Sequence, residues 1–186
     1  MAAEHYIACL DLGGRRCLVV GGGAVALEKA RGLLAAGAAV TVIAPEVDPE
    51  LRDLPVHVLE TAYSIGDARG YRLVVAATPD RGVNRRVYDE CELLGVFCNV
   101  ADDPELCSFI LPAIHREGAI AVAVSTGGAS PALAQRLRVE IAALVTPRHA
   151  ALAEELRALR PWARTHLPNY EARRDFFARK VEEALG

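Results

Sequence analysis

Hydrophobic residues along this chain fall into short, nearly continuous runs that alternate with longer stretches of helical spacing. Cys17-Leu18-Val19-Val20 stops at glycines and reads as a buried strand. Ala24 to Ala36 follows as a helix, with Val25, Leu27, Leu33 and Leu34 available for burial and Gly37 placed to cap its C-terminus. Val40 to Ile43 is the second strand, closed by Pro45, Val56 to Leu59 the third, and Leu73 to Ala77 the fourth. Asp80 stands where it can cap a helix through Leu94, ended by Gly95, and Val96 to Cys98 is the fifth strand. Apolar strands alternating with helices predict an α/β fold with a Rossmann-type parallel sheet and right-handed crossovers.

After the fifth strand the pattern changes. Ser108 to Ile114 and Ala119 to Ser125 are strand-like and flank Arg116-Glu117-Gly118, which predicts a hairpin. One hairpin is marginal unless another surface covers it, so the spacing points to a homodimer built on this segment. Ser130-Pro131 opens a helix through about Leu144, serine at the cap and proline in the first turn. Pro147 breaks the chain, and two amphipathic helices follow, near Ala150 to Arg160 and Tyr170 to Leu185. The expected organisation is a dinucleotide-binding domain over 1–106, a dimerisation region with a glycine turn over 107–145, and a small helical domain over 146–186.

Composition narrows the class. With 186 residues, 52% of them hydrophobic, the chain can build a real core. The longest apolar run, Ala119 to Val124, is strand-sized, which predicts no membrane partner. The opening MAAEHYIACLDL has an early glutamate and no basic segment, so no signal peptide is expected and a cytoplasmic home follows. A net charge of −3 gives no reason to expect a nucleic-acid partner. The cysteines, at 9, 17, 91, 98 and 107, are odd in number and form no C-x-x-C pair, so reduced thiols are expected rather than disulfides or zinc.

The chemistry concentrates at strand ends. Gly21-Gly22-Gly23-Ala24-Val25-Ala26 matches G-x-G-x-x-A between a strand and a helix. Gly21 permits the tight turn, Gly23 lets backbone approach a pyrophosphate, and the helix N-terminus offers N–H groups to it. Glu46, just past the second strand, is the candidate for the adenine ribose. No arginine stands at that strand end, the next being Arg52, so NAD is expected over NADP. Thr78, after the fourth strand, either touches the cofactor or serves a helix cap. Asp102 follows the fifth strand, where catalytic groups of open sheets sit, or else forms a turn before Pro104. Ser125 to Pro131 is a second glycine-rich strand-to-helix turn, either an anion cradle or a plain capped turn. Arg85, Arg86, Arg116, Arg136 and Arg138 are available to an anionic ligand, and His115 reads as a packed or surface histidine rather than a ligand.

Taken in order, GGGAVALEKARGLLAAGAAVTVIAPE, VVAATPD, CNVADDPELCSFILPA and VAVSTGGASPALAQRLR resemble the siroheme-synthase N-terminal module, the precorrin-2 dehydrogenase family. The resemblance spans essentially the whole chain, and its specific part runs from Cys98 to Leu137. It implies a Rossmann domain, a dimerisation region and a small helical domain. It also implies NAD-dependent oxidation of precorrin-2 to sirohydrochlorin in siroheme biosynthesis. Some members also insert ferrous iron; the residues here leave that open and show no fixed metal site. Carried over, the cofactor contacts fall at Gly21, Gly23, Ala24, Val25, Pro45, Glu46 and Thr78, and the family's important aspartate is Asp102, as catalytic base. The many carboxylates of such a substrate would meet Thr126, Gly127, Gly128 and Arg116; Thr126 stands where relatives often have serine. Nothing here resembles the methyltransferase domain of multifunctional siroheme synthases, so precorrin-2 would come from another enzyme. A different NAD-dependent reductase would share only the Gly21 region. A non-catalytic NAD-sensing module would need neither Asp102 nor the second glycine turn.

Overall fold

The computed structural model describes residues 5–186; residues 1–4, the start of the stretch expected to lack a signal peptide, lie outside the described residues. The described chain divides into two compact units, Tyr6–Leu111 and Pro112–Gly186. The first holds five strands, β1 (Arg16–Val20), β2 (Ala39–Ile43), β3 (His57–Leu59), β4 (Leu73–Ala76) and β5 (Phe97–Val100). They form one parallel sheet in the order β3-β2-β1-β4-β5. Val20 lies opposite Ile43 on one side and Ala76 on the other. The chain runs outward from β1 to β3, then returns to β4 and β5, so the strand order reverses between β1 and β4. The crevice outside the strand C-termini at such a reversal is where open α/β sheets take their ligands.

The strands are apolar on both sides because both faces are covered. Three helices accompany them: α1 (Ala24–Ala35), the one-turn α2 (Pro49–Arg52) and α3 (Arg81–Leu94). Cys17, Val19, Val42 and Val75 pack with Ala26, Ala30 and Leu33 of α1. Leu18, Val20, Val74 and Ala76 pack with Val87 and Cys91 of α3. Asp80 caps α3 as expected, its Oδ1 accepting from the N–H groups of Gly82 and Val83, and Gly95 closes the helix at φ +64°. β5 runs two residues past its expected end. Asn99 is buried there because its side-chain amide donates to the Phe109 carbonyl at 3.0 Å.

The second unit holds the antiparallel pair β6 (Ala113–Glu117) and β7 (Ile120–Val124), then α4 (Pro131–Leu144), α5 (Pro147–His166) and α6 (Tyr170–Leu185). Three expectations change here. The hairpin starts at Ala113 rather than Ser108. Ser108 instead belongs to the first unit, its N–H donating to the Cys98 carbonyl and its hydroxyl accepting from the Cys98 N–H, each at 2.8 Å. Arg116 and Glu117 are strand residues and the loop is Gly118-Ala119, since Glu117 pairs with Ile120. Pro147 begins α5 instead of breaking the chain, which suits a residue with no N–H to lose, and α5 continues through Pro161 to His166. The hairpin contacts both α4 and α5, so the segments read from sequence as a dimerisation region and a separate helical domain share one compact unit. No helix among the described residues is long and apolar enough to cross a membrane.

Candidate functional site

A groove of about 830 Å³ opens at the C-terminal edge of the sheet, between the ends of β1, β2 and β4. That volume is in the range of pockets that hold cofactors. Gly21, Gly22 and Gly23 form its floor, with Pro45 and Glu46 on one side and Thr78 on another. The turn is pinned on three sides: Gly21 N–H donates to the Ile43 carbonyl (2.9 Å), Asp48 N–H to the Gly22 carbonyl (2.7 Å) and Ala77 N–H to the Val20 carbonyl (2.7 Å).

The three glycines are there for different reasons. At Gly21 (φ +129°) a Cβ would come 2.3 Å from the Ala77 carbonyl oxygen, and at Gly22 it would come 1.9 Å from that of Glu46. Folding alone excludes side chains at both. At Gly23 a Cβ would meet nothing within 4 Å, and its φ of −93° suits any residue. No packing within the protein requires glycine there, so the open space fits a bound group. Gly23 is also the N-cap of α1 and supplies no side-chain cap. The N–H groups of Ala24, Val25 and Ala26 therefore have no partner one turn back and face the end of the helix with the positive dipole. Ala24 and Val25 are exposed and do not line the groove; what they offer a ligand is backbone. This arrangement fits the pyrophosphate of a dinucleotide.

The other groove residues divide by what they already bond. The Thr78 hydroxyl accepts from Asp80 N–H (3.2 Å) and donates to Asn84 Oδ1 (2.7 Å), so it braces the start of α3, and it also lines the groove. Asp48 and Asp80 are occupied as N-caps of α2 and α3. Tyr63 lines the groove, but its hydroxyl donates to the buried Glu90 at 2.5 Å, and Glu90 also accepts from Gly66 N–H. Burial, then the bond to Glu90, hold the Tyr63 phenol proton well above its usual range, so it cannot serve as a base. Arg86, from α3, also lines the groove. The expectation of NAD over NADP considered only the end of β2. A cation one and a half turns into the helix after β4 reaches the same crevice, and the i, i+3 spacing of Val83 and Arg86, both lining it, was the available signal.

Asp102 lies in the turn after β5, at the same sheet edge, but outside the groove lining. Ala101 N–H donates to the Ala76 carbonyl (2.8 Å), and Asp103 N–H to the Val100 carbonyl (3.4 Å). Asp102 is the one non-glycine residue with positive φ (+62°) among the described residues, and it is exposed. Its carboxylate makes no hydrogen bond or ion pair among those residues, so the turn-capping alternative is not what occupies it. Its neighbour Asp103 is paired with Arg81 at 3.1 Å.

The second glycine turn closes on itself. The Thr126 hydroxyl donates to the Ser130 carbonyl and accepts from its N–H, both at 3.1 Å, and Ser130 caps α4 through Leu133 N–H. Gly127 (φ +60°) and Gly128 (φ +85°) are needed by this backbone path. Arg116 pairs with Ala121 near the hairpin loop, while Thr126 lies beyond the opposite end of β7. Thr126 is five residue steps along the chain from Ala121, roughly 16 Å at strand rise, so the fold does not bring these two candidates together. His115 is half-buried in β6 with Nε2 unpartnered. Among the described residues, no three His, Cys, Asp or Glu side chains cluster where they could hold a metal ion.

Comparisons with known proteins follow the same division. A family model described as "Putative NAD(P)-binding" matches residues 8–113, and one described as "Sirohaem biosynthesis protein central" matches 117–144. The siroheme synthase of Methylococcus capsulatus is 45% identical over 170 residues, which is 89% of this chain and 36% of the relative. That of Chromobacterium violaceum is 41% identical over 186 residues, 98% of this chain and 40% of the relative. The chain thus spans about two fifths of the length of these relatives. Among solved structures, SirC, precorrin-2 dehydrogenase, superposes with a TM-score of 0.81 at 27% identity, covering 98% of this chain and 93% of that one. The chain belongs to the NAD(P)-binding family whose sheet is here followed by the sirohaem-biosynthesis central segment.

Proposed function

We propose that this chain is a dehydrogenase that oxidises precorrin-2 to sirohydrochlorin with NAD. The observation that carries the reading is the space above Gly23 at the open N-terminus of α1, in a chain that matches a precorrin-2 dehydrogenase along nearly its whole length. A nicotinamide ring bound in the crevice would supply the acceptor for a hydride. The oxidation removes one hydride and one proton from the macrocycle, so a base must take the proton. Asp102 is an unpaired carboxylate at the sheet edge, outside the groove lining, held in a backbone conformation that costs roughly 1–2 kcal/mol. Glu46 holds the adenine ribose, and the first turn of α1, from Gly23 to Val25, holds the pyrophosphate. Gly21 shapes the floor, and Pro45 and Thr78 shape the walls. Arg116 and the Thr126-Gly127-Gly128 turn present separate points for substrate carboxylates. The cysteines at 17, 91 and 98 are buried and free, which suits a reducing cytoplasm; burial raises the Cys17 thiol above its usual range, and a hydrogen bond with Cys91, then burial, raise that of Cys98.

The test is anaerobic absorbance spectroscopy of the purified chain with precorrin-2 and NAD. Sirohydrochlorin and NADH should appear in equal amounts; no turnover would refute the reading. Ferrous iron added afterwards asks whether the same site metallates its product, a step in which Asp102 would take a displaced pyrrole proton.

We place a homodimer interface on the hairpin. Its residues alternate between half-buried and exposed, and the exposed set, Ile114, Arg116, Ala121 and Ala123, is mostly apolar. Leu133 and Val139 of α4 are also half exposed. Light scattering at micromolar concentration should report twice the chain mass, and Ile114→Lys should shift it to the monomer. A wild-type monomer would refute the interface.

A further inference from the structure

Four charged side chains line the groove, and they are not equivalent. Asp48 and Asp80 are committed to helix caps. Glu46 and Arg86 make no side-chain hydrogen bond or ion pair among the described residues, and both are exposed. The groove therefore presents one free carboxylate and one free guanidinium. Val83, one turn before Arg86 on the same face of α3, is partly buried against the core and forms wall. Arg86 stands further along, with its head in solvent, and forms rim. A dinucleotide in this groove would find apolar wall at Val83 and Pro45 for its adenine ring. At the ribose 2′ position a carboxylate serves a hydroxyl and an arginine serves a phosphate.

We propose that Arg86 is a specificity-determining residue that lets this groove accept the 2′-phosphate of NADP as well as NAD. The inference rests on the dinucleotide reading of the groove. Glu46 accepts from the 2′-hydroxyl of NAD and repels a 2′-phosphate. Arg86 offsets that repulsion, and its planar fork can donate two parallel hydrogen bonds to phosphate oxygens. Affinity for NADP thus depends on Arg86, and affinity for NAD depends on Glu46.

Calorimetry of the full chain with NAD and with NADP tests this directly. Wild type should bind both. Arg86→Ala should lower the ratio of NADP to NAD affinity about ten- to a hundredfold, the worth of one charge-assisted hydrogen-bonded contact. Arg86→Lys, keeping the charge without the fork, should fall between. Glu46→Gln should move the ratio the other way. Since Arg86 is exposed and unpaired, its substitution should leave the melting temperature nearly unchanged. A wild type that binds NAD but not NADP, or an Arg86→Ala ratio equal to that of wild type, would overturn the role of Arg86 alone. A wild type that binds neither nucleotide would overturn the dinucleotide reading with it.

Discussion

Asp102→Asn is expected to slow precorrin-2 oxidation by ~10²–10⁴ while leaving NAD affinity unchanged, the usual worth of one positioned base. The substitution isolates basicity. Asparagine keeps the size of the side chain and, like aspartate, tolerates the left-handed backbone at φ +62°, so the turn after β5 should survive it. Asp102 also lies outside the groove lining, so nucleotide affinity measured by calorimetry should not move. Asp103→Asn is the control. Asp103 shares the turn, but its carboxylate is engaged with Arg81 at 3.1 Å in a pair whose arginine is 87% exposed. Such surface pairs contribute about 0–1 kcal/mol to stability, so Asp103→Asn should oxidise at nearly the wild-type rate. Wild-type turnover by Asp102→Asn, or failure of Asp103→Asn in its place, would show that the base is another group.

The second large effect is expected at Gly23. Gly23→Val should reduce NAD affinity by about a hundredfold or more, because an isopropyl group would fill the space through which phosphate approaches the N–H groups of α1. The protein itself should barely notice. The new Cβ meets nothing within 4 Å and the backbone angle is ordinary. Replacing glycine, a favoured N-cap, by valine, a poor one, costs on the order of 1 kcal/mol, a few degrees in melting temperature for a chain of this size. Folded protein that no longer binds NAD is the predicted result. Wild-type affinity would mean that phosphate does not sit there.

Much of this was legible in the sequence, and the failures have physical causes. Apolar runs bounded by glycine and proline mark buried parallel strands because such strands must be apolar on both sides. That is why β1, β2 and β4 are read to within a residue of their ends. β5 runs past its apolar residues, since a strand asparagine such as Asn99 reads as an end until its partner, the Phe109 carbonyl ten residues on, is known. The sequence predicts an end to α5 near Arg160 because proline costs a helix one hydrogen bond and a clash, and only tertiary packing decides whether a helix runs past it. Glu46 and Gly23 could be found from local spacing. Arg86 stands out in the sequence only as one of five arginines available to an anion, because it reaches the groove from α3, forty residues after Glu46, and only the strand order makes them neighbours of one crevice.

Gly21, Gly22 and Gly23 are adjacent and look interchangeable on paper, yet they answer to different pressures over evolutionary time. A descendant released from nucleotide binding could not discard the first two, because a methyl group at either would collide with the carbonyl of Ala77 or of Glu46 and the sheet edge could not close. The third would be free to drift. Loss of Gly23 beside an intact Gly21-Gly22 would therefore mark a lineage that has kept this architecture and abandoned its cofactor. Loss of Gly21 or Gly22 would mark a rebuilt turn, which says nothing about whether a cofactor is still bound.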